Sequence, residues 1–143
     1  MSEASSAPRW FTPVAVLAVI WNLFGVLAYI GHVTLSPEAL AAMPEAERAL
    51  IESTPAWANG AFAIAVWAGV AGSILLLLRK SAAFVVLVTS FAGVLVQQVH
   101  TFGMSDALAV QGNAVLGMAG SIFVIALLLV VLAQRAKSAG WLA

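Results

Sequence analysis

The chain has 143 residues, of which 63% are hydrophobic and 8% are charged, and its formal net charge is zero. A soluble domain has about 25% charged residues, so this composition excludes an ordinary soluble fold. The chain has no cysteine, which excludes disulfides, thiolate metal sites and thiol redox chemistry. We expect one integral membrane domain over residues 1–143.

Charged residues are missing from four long apolar segments. These segments lie between Arg9 and Glu38, Glu52 and Arg79, Lys80 and Asp106, and Asp106 and Arg135. Each is longer than the ~20 residues that cross the hydrocarbon core of a bilayer. The sequence therefore predicts an all-α fold, a four-helix transmembrane bundle with helices at about 10–31, 55–78, 82–101 and 106–134.

The first predicted helix, 10–31, has Trp10 and Tyr29 near its two ends, as aromatic residues often lie at membrane interfaces. A cleaved signal peptide is the alternative interpretation, because residues 39–41 resemble a cleavage site. We favour a retained helix, because the apolar run 14–30 is too long and lies too far from that site.

The segment 36–53 is predicted to be an outer amphipathic helical insert between the first two long helices. Ser36, Pro37 and Glu38 provide a capping hydroxyl, a proline and an acid in the order of a helix start, and Pro44 begins a second helix. Four apolar residues recur at helical spacing: Leu40, Met43, Ala46 and Leu50. The insert lacks the basic face of a lipid-surface helix, so we expect it to pack on the outer face of the bundle.

Helices 55–78 and 82–101 are joined by a very short turn, which makes them antiparallel neighbours. Small residues recur along the first of them and form a predicted packing seam of Ala61, Ala65, Gly69, Gly72 and Ser73. Small residues let helices approach closely, which matters because lipid supplies no hydrophobic drive for helix association. The seam packs either within the bundle or between copies of the chain, and Gly117 and Ser121 repeat the pattern in the fourth helix.

Basic residues predict the orientation. Five of them fall on one side of four crossings, and the other side has one basic and five acidic residues. The first set is Arg9, Arg79, Lys80, Arg135 and Lys137, and the second is Arg48 with Glu38, Glu45, Glu47, Glu52 and Asp106. Short loops rich in Lys and Arg stay in the cytoplasm, so both termini are expected there.

Neutral polar residues lie mostly in the outer halves of the helices. They form a candidate polar cavity of Asn22, Tyr29, His32, Ser90, Gln97, His100 and Asn113. Polar groups in hydrocarbon cost free energy unless they are paired, so such residues often mark sites. They also form hydrogen bonds between helices, typically worth ~0.6 kcal/mol each, and both interpretations stand.

The helix centres contain no charged residue, which argues against several mechanisms. An ion-coupled transporter is expected to carry a buried acid, and the first helix has Asn22 instead. No convincing nucleophile–base set is present, so we expect no enzyme and no catalytic residues. His32 and His100 are candidate ligands of haem or a metal, but no carboxylate accompanies them inside the membrane. We therefore expect no cofactor, no metal and no nucleic-acid partner.

Three segments resemble a family of small proteobacterial four-helix membrane proteins. They are WNLFG at 21–25, the outer helix ending in PAW at 55–57, and AVWAGVAGSILLLLR at 65–79. The family pattern has an aromatic residue where this chain has His100. The resemblance implies four helices in a bacterial inner membrane, and some members carry a sugar-transporter label. It implies no established site residues.

Three function classes follow from these features, of which a membrane enzyme is the least favoured. In the first, the protein binds or passes a neutral small solute through the outward polar cavity. In the second, it is a non-catalytic accessory subunit that packs on a larger membrane complex through the seam. The expected partners are the lipid bilayer and either a second copy of the chain or that larger complex.

Overall fold

The computed structural model describes residues 6–143, so the first five residues of the predicted domain lie outside the described part. The described chain forms seven α-helices and no strand. Four of them are long and apolar enough to cross a membrane, which confirms the all-helical fold. In chain order they are α1 (Phe11–Val33), α2 (Pro37–Ala41), α3 (Glu45–Glu52), α4 (Ala56–Leu77), α5 (Ala82–Gly103), α6 (Ala107–Gln111) and α7 (Asn113–Ser138).

The four long helices pack in the order α1, α4, α5, α7. Helix α4 has large interfaces with α1 and α5, α5 packs against α7, and α4 touches α7 only slightly. In the most apolar 18-residue stretch of α4, 44% of the residues are buried, whereas in that of α7 the share is 6%. Helices α4 and α5 are therefore central, and α1 and α7 form the two flanks.

Close contact between α4 and α5 depends on glycine. A Cβ on Gly93 would lie 2.8 Å from the carbonyl oxygen of Ala61 and 2.8 Å from the nitrogen of Ala65. A Cβ on Gly72 would lie 2.6 Å from Cγ of Leu87. Real Cβ atoms do not approach other atoms so closely, so any larger residue would force the helices apart.

The end of the bundle that carries Arg79 is closed by a hydrophobic core. Phe11 and Leu76 are fully buried there, and the ring of Trp141 meets the ring of Phe11 edge-on at 5.8 Å. The backbone of Ala143 accepts a hydrogen bond from the Ser81 nitrogen and donates one to the Arg79 carbonyl, both at 2.7 Å. The other buried members of this core are Ala15, Ala18, Ala83, Leu87, Leu129, Ala133, Ala136 and Leu142. We call this the basic end.

The opposite end carries the insert. Ser36 caps α2 in the predicted way, because its Oγ accepts a hydrogen bond of 3.1 Å from the Ala39 nitrogen. A second helix, α3, begins after Pro44. Helix α3 packs against α6, so the insert lies beside the segment that joins α5 to α7. We call this the acidic end, because the acids of the insert and Asp106 are here.

The fourth predicted helix is wrong at its start. The segment is not continuous from 106, because Gly112 breaks it into α6 and α7. Gly112 has φ 64° and ψ −149°, a conformation that is essentially restricted to glycine. The break allows α6 to turn toward α3, and α7 then continues to Ser138, four residues beyond the predicted end.

Candidate ligand-binding cavity

Two adjacent cavities lie between the helices on the acidic side of the core. The upper cavity, of about 770 Å³, reaches the acidic end and is lined by α3 to α7 together with His32 of α1. The lower cavity, of about 430 Å³, lies deeper, between α1, α4, α5 and α7. Ligand pockets typically measure about 300–1,000 Å³. Four residues line both cavities and form the junction between them: Phe62, Gln97, Met118 and Ile122.

Histidines lie in the wall of the upper cavity. A ring nitrogen of His32 is 3.0 Å from Oδ1 of Asn59, so α1 and α4 are linked there by a hydrogen bond. His100 is buried, and the Trp57 ring meets it edge-on at 5.5 Å. Across residues 6–143 no three His, Asp or Glu side chains cluster in a way that could hold a metal ion. The chemistry these groups offer is hydrogen bonding.

Gln97 occupies the junction of the two cavities. It is half-buried, and its side-chain amide makes no hydrogen bond to any other residue of the described chain. The next residue, Gln98, donates a hydrogen bond of 2.8 Å to the carbonyl of Ala119. An amide in apolar surroundings costs free energy until it finds a partner. Gln97 is therefore the polar side chain at the junction of the two cavities, and its amide is available to a ligand.

Two polar side chains of the lower cavity, Asn22 and Ser90, are bonded within the protein. Nδ2 of Asn22 donates to the carbonyl of Ala18 at 2.9 Å and to Oγ of Ser73 at 3.0 Å. Oγ of Ser90 donates to the carbonyl of Ala65 at 2.6 Å. These bonds join α1 to α4 and α5 to α4. Asn22 and Ser73 thus meet, although the sequence assigned them to the cavity and to the seam respectively.

The structure places the predicted cavity residues in four groups. Asn22 and Ser90 line the lower cavity, His32 and His100 line the upper one, and Gln97 lines both. Tyr29 and Asn113 line neither. The Tyr29 ring instead packs edge-on against Phe62 at 5.4 Å. Asn113 is the exposed first residue of α7, directly after the glycine break.

The predicted seam residues all lie buried along α4, where it meets its neighbours in the same chain. Ala61 and Ala65 face Gly93 of α5. A Cβ on Gly69 would lie 2.9 Å from Cγ of Asn22 and 3.2 Å from Oγ of Ser90, so α1 and α5 both approach it. The complete set of buried seam positions is Ala61, Ala65, Gly69, Gly72 and Ser73.

Several lining residues were not singled out by sequence reasoning. Asn59 begins the second turn of α4 and could have been noticed as a polar residue one turn from Pro55. Phe62 and Met118 line the junction, but nothing distinguishes them from the many apolar residues that face lipid. The further polar lining residues of the upper cavity are Glu47, Thr54, Gln98, Thr101, Ser105 and Gln111.

The cavity walls contain no Lys or Arg, and their one acidic residue is Glu47 in the upper cavity. Phosphate and carboxylate groups are usually held by Arg or Lys, so this lining favours a neutral ligand over an anion. No family model matches the sequence, and no curated protein or solved structure is significantly similar to it.

Proposed function

We propose that this chain is a four-helix transmembrane bundle of a bacterial inner membrane that binds a small neutral solute in an outward-facing cavity. The orientation is supported by charge. The basic end carries Arg9, Arg79, Lys80, Arg135 and Lys137, and the acidic end carries the insert. Lys and Arg in short loops favour the cytoplasmic side. Both termini then lie in the cytoplasm, and the upper cavity opens outward.

The free amide of Gln97 is the observation that carries the proposal. Other polar side chains at this depth, such as Asn22, Ser90 and Gln98, are bonded to the protein. Gln97 alone presents both a donor and an acceptor at the junction of the cavities. A neutral hydroxyl, carbonyl or amide on a solute satisfies both groups without bringing charge into the membrane.

Binding is better supported than passage. Below the lower cavity, the core around Phe11 and Leu76 is fully packed. The C-terminal residues add backbone hydrogen bonds across the same end. Passage through one chain would require this core to open, whereas binding requires no rearrangement.

Replacing Gln97 with leucine is expected to abolish solute binding while leaving the fold intact, because Gln97 has no partner within the chain to lose. The test is thermal unfolding of the purified protein with a panel of neutral sugars and polyols. A solute present at one hundred times its Kd stabilises the native state by about 2.7 kcal/mol. Gln97→Leu should eliminate that stabilisation.

Thr89→Val is the matched control on the same helix. The Thr89 hydroxyl bonds to the Val85 carbonyl of its own helix at 3.0 Å, is exposed, and lines neither cavity. It should retain the full ligand-dependent shift. An equal loss of the shift in both variants, or none in Gln97→Leu, would contradict the proposed role of Gln97.

An accessory subunit is the second candidate, favoured by the exposure of α7. A Cβ on Gly117 or Gly120 would meet nothing within 4 Å, so these glycines serve no packing within the chain. If they receive a helix of a larger complex, gentle purification of the native protein should recover that complex in fixed stoichiometry. Recovery of the chain alone or with copies of itself would remove this candidate.

A further inference from the structure

The lower cavity opens sideways between α1 and α7. Both flanking helices line it, but they do not form one of the larger helix–helix interfaces. Near the basic end, Phe11 of α1 packs against Trp141, which follows α7 in the chain. Of the α1 residues that line the cavity, Phe24 is 65% exposed and Trp21 is 36% exposed. A membrane-spanning chain of this shape exposes the opening to the hydrocarbon of the bilayer.

The lining changes from apolar to polar along the two cavities. Below the junction, the walls are built mainly from aliphatic and aromatic side chains such as Trp21, Phe24 and Leu129. Above it, they carry His32, His100 and several hydroxyl and amide groups. This gradient runs parallel to the helices and matches the two halves of a molecule with an apolar tail and a polar head.

The size of the lower cavity limits the length of the apolar tail that a ligand can place in it. A water molecule occupies about 30 Å³ in the liquid, and a methylene group is of similar size. A cavity of about 430 Å³ therefore holds on the order of ten to fifteen such groups, which is one alkyl chain rather than two. The walls also have no Lys or Arg to hold a phosphate head.

We propose that the ligand is a neutral single-chain amphiphile that enters between α1 and α7 from the bilayer. Its chain lies in the lower cavity, and its hydroxyl- or carbonyl-bearing head bonds to Gln97 and extends into the upper cavity. This inference rests on the proposed solute-binding function and specifies the solute. Transfer of the ligand's alkyl chain from lipid to the cavity gains little hydrophobic free energy, because both surroundings are apolar. The selectivity therefore comes from the head.

The experiment uses the full protein chain in phosphatidylcholine nanodiscs. The probe is monodecanoylglycerol that carries a photoreactive diazirine near the end of its alkyl chain. Saturable labelling is expected on residues of α1 and α7 that line the lower cavity, such as Phe24 and Ile125, and unlabelled monodecanoylglycerol should compete. Ala126→Phe fills the cavity and should reduce labelling at least tenfold. Val124→Phe is the control, because Val124 lies on the same helix, is exposed and lines neither cavity.

Two further variants keep the test decisive if Ala126→Phe fails to fold. Met118→Phe narrows the junction at a position where the side chain is 61% exposed, and Gln97→Leu removes the bond to the head. Both should weaken competition by monodecanoylglycerol at least tenfold. Unchanged competition in both variants would overturn the proposal.

Three competitors separate this inference from the general proposal. Decanoyl lysophosphatidylcholine has the same alkyl chain with a phosphocholine head, which carries a charged phosphate and a charged ammonium group, and it should compete at least tenfold less well; equal competition would refute recognition of an uncharged head. Glycerol alone should not compete, and if it competes fully, solute binding stands but the amphiphile is wrong. Decane should compete weakly. Labelling that never saturates and persists in Ala126→Phe would mean that bulk lipid fills the cavity, which overturns the inference.

Discussion

Replacing Gly93 with alanine is expected to lower the free energy of unfolding by about 1–3 kcal/mol, the usual cost of overpacking a tight core. The added methyl group would lie 2.8 Å from two backbone atoms of α4, the Ala61 carbonyl oxygen and the Ala65 nitrogen. Backbone atoms cannot rotate away as a side chain can, so α5 must move outward. That movement loosens the largest helix–helix interface of the chain.

Thermal unfolding in mild detergent, followed by circular dichroism, measures this effect. Gly120→Ala is the matched control, because the same substitution on α7 meets nothing within 4 Å. Alanine favours a helix over glycine by up to about 1 kcal/mol, so this control should be unchanged or slightly stabilised. If Gly93→Ala unfolds at the same temperature as the wild-type protein, that result would contradict the close packing of α4 and α5 at Gly93.

Replacing Asn22 with leucine is expected to destabilise the fold, in contrast to the change at Gln97. The substitution removes the bond to Ser73 and leaves that fully buried hydroxyl without its partner. A buried polar group that loses its partner costs about 1–3 kcal/mol. The lower end of this range applies here, because a serine hydroxyl in a helix can turn to a carbonyl of the preceding turn.

A double-mutant cycle tests the assignment. Asn22→Leu combined with Ser73→Ala removes both partners, and the pair should be less destabilised than the sum of the two single changes. Additive losses would show that the two side chains do not interact. Stability of Asn22→Leu equal to wild type would show that Asn22, like Gln97, is free for a ligand.

The long helices follow from the sequence because their length is dictated by the bilayer. The bounds of α1, α4 and α5 lie within two residues of those predicted, since charged residues and prolines delimit each apolar run. The break at Gly112 does not follow. Glycine is common within membrane helices, and only the contact between α3 and α6 shows why the chain turns there.

The sequence predicts several of the polar residues that line the cavities, but not which of them form hydrogen bonds within the protein. Gln97 and Gln98 are neighbours in sequence, yet one is free and the other is bonded to Ala119. Both side chains lie beside α7, and only the packed structure shows that Gln98 reaches the Ala119 carbonyl while Gln97 lines the junction. Asn22 was placed in the cavity for its polarity, but whether it has a partner depended on the depth of Ser73 in another helix.

The arrangement of α7 has a mechanical consequence. Its last turns are fixed in the basic-end core by Leu129 and Ala133, whereas the part from Asn113 to Leu129 extends about 24 Å beyond that anchor. This part acts as a lever with its pivot in the core, and a tilt of about 5° would move its far end by roughly 2 Å. The hydrogen bond from Gln98 to the Ala119 carbonyl and the contact of the Phe91 and Phe123 rings at 5.5 Å hold this part to α5, so together they limit how far the gap toward α1 can widen.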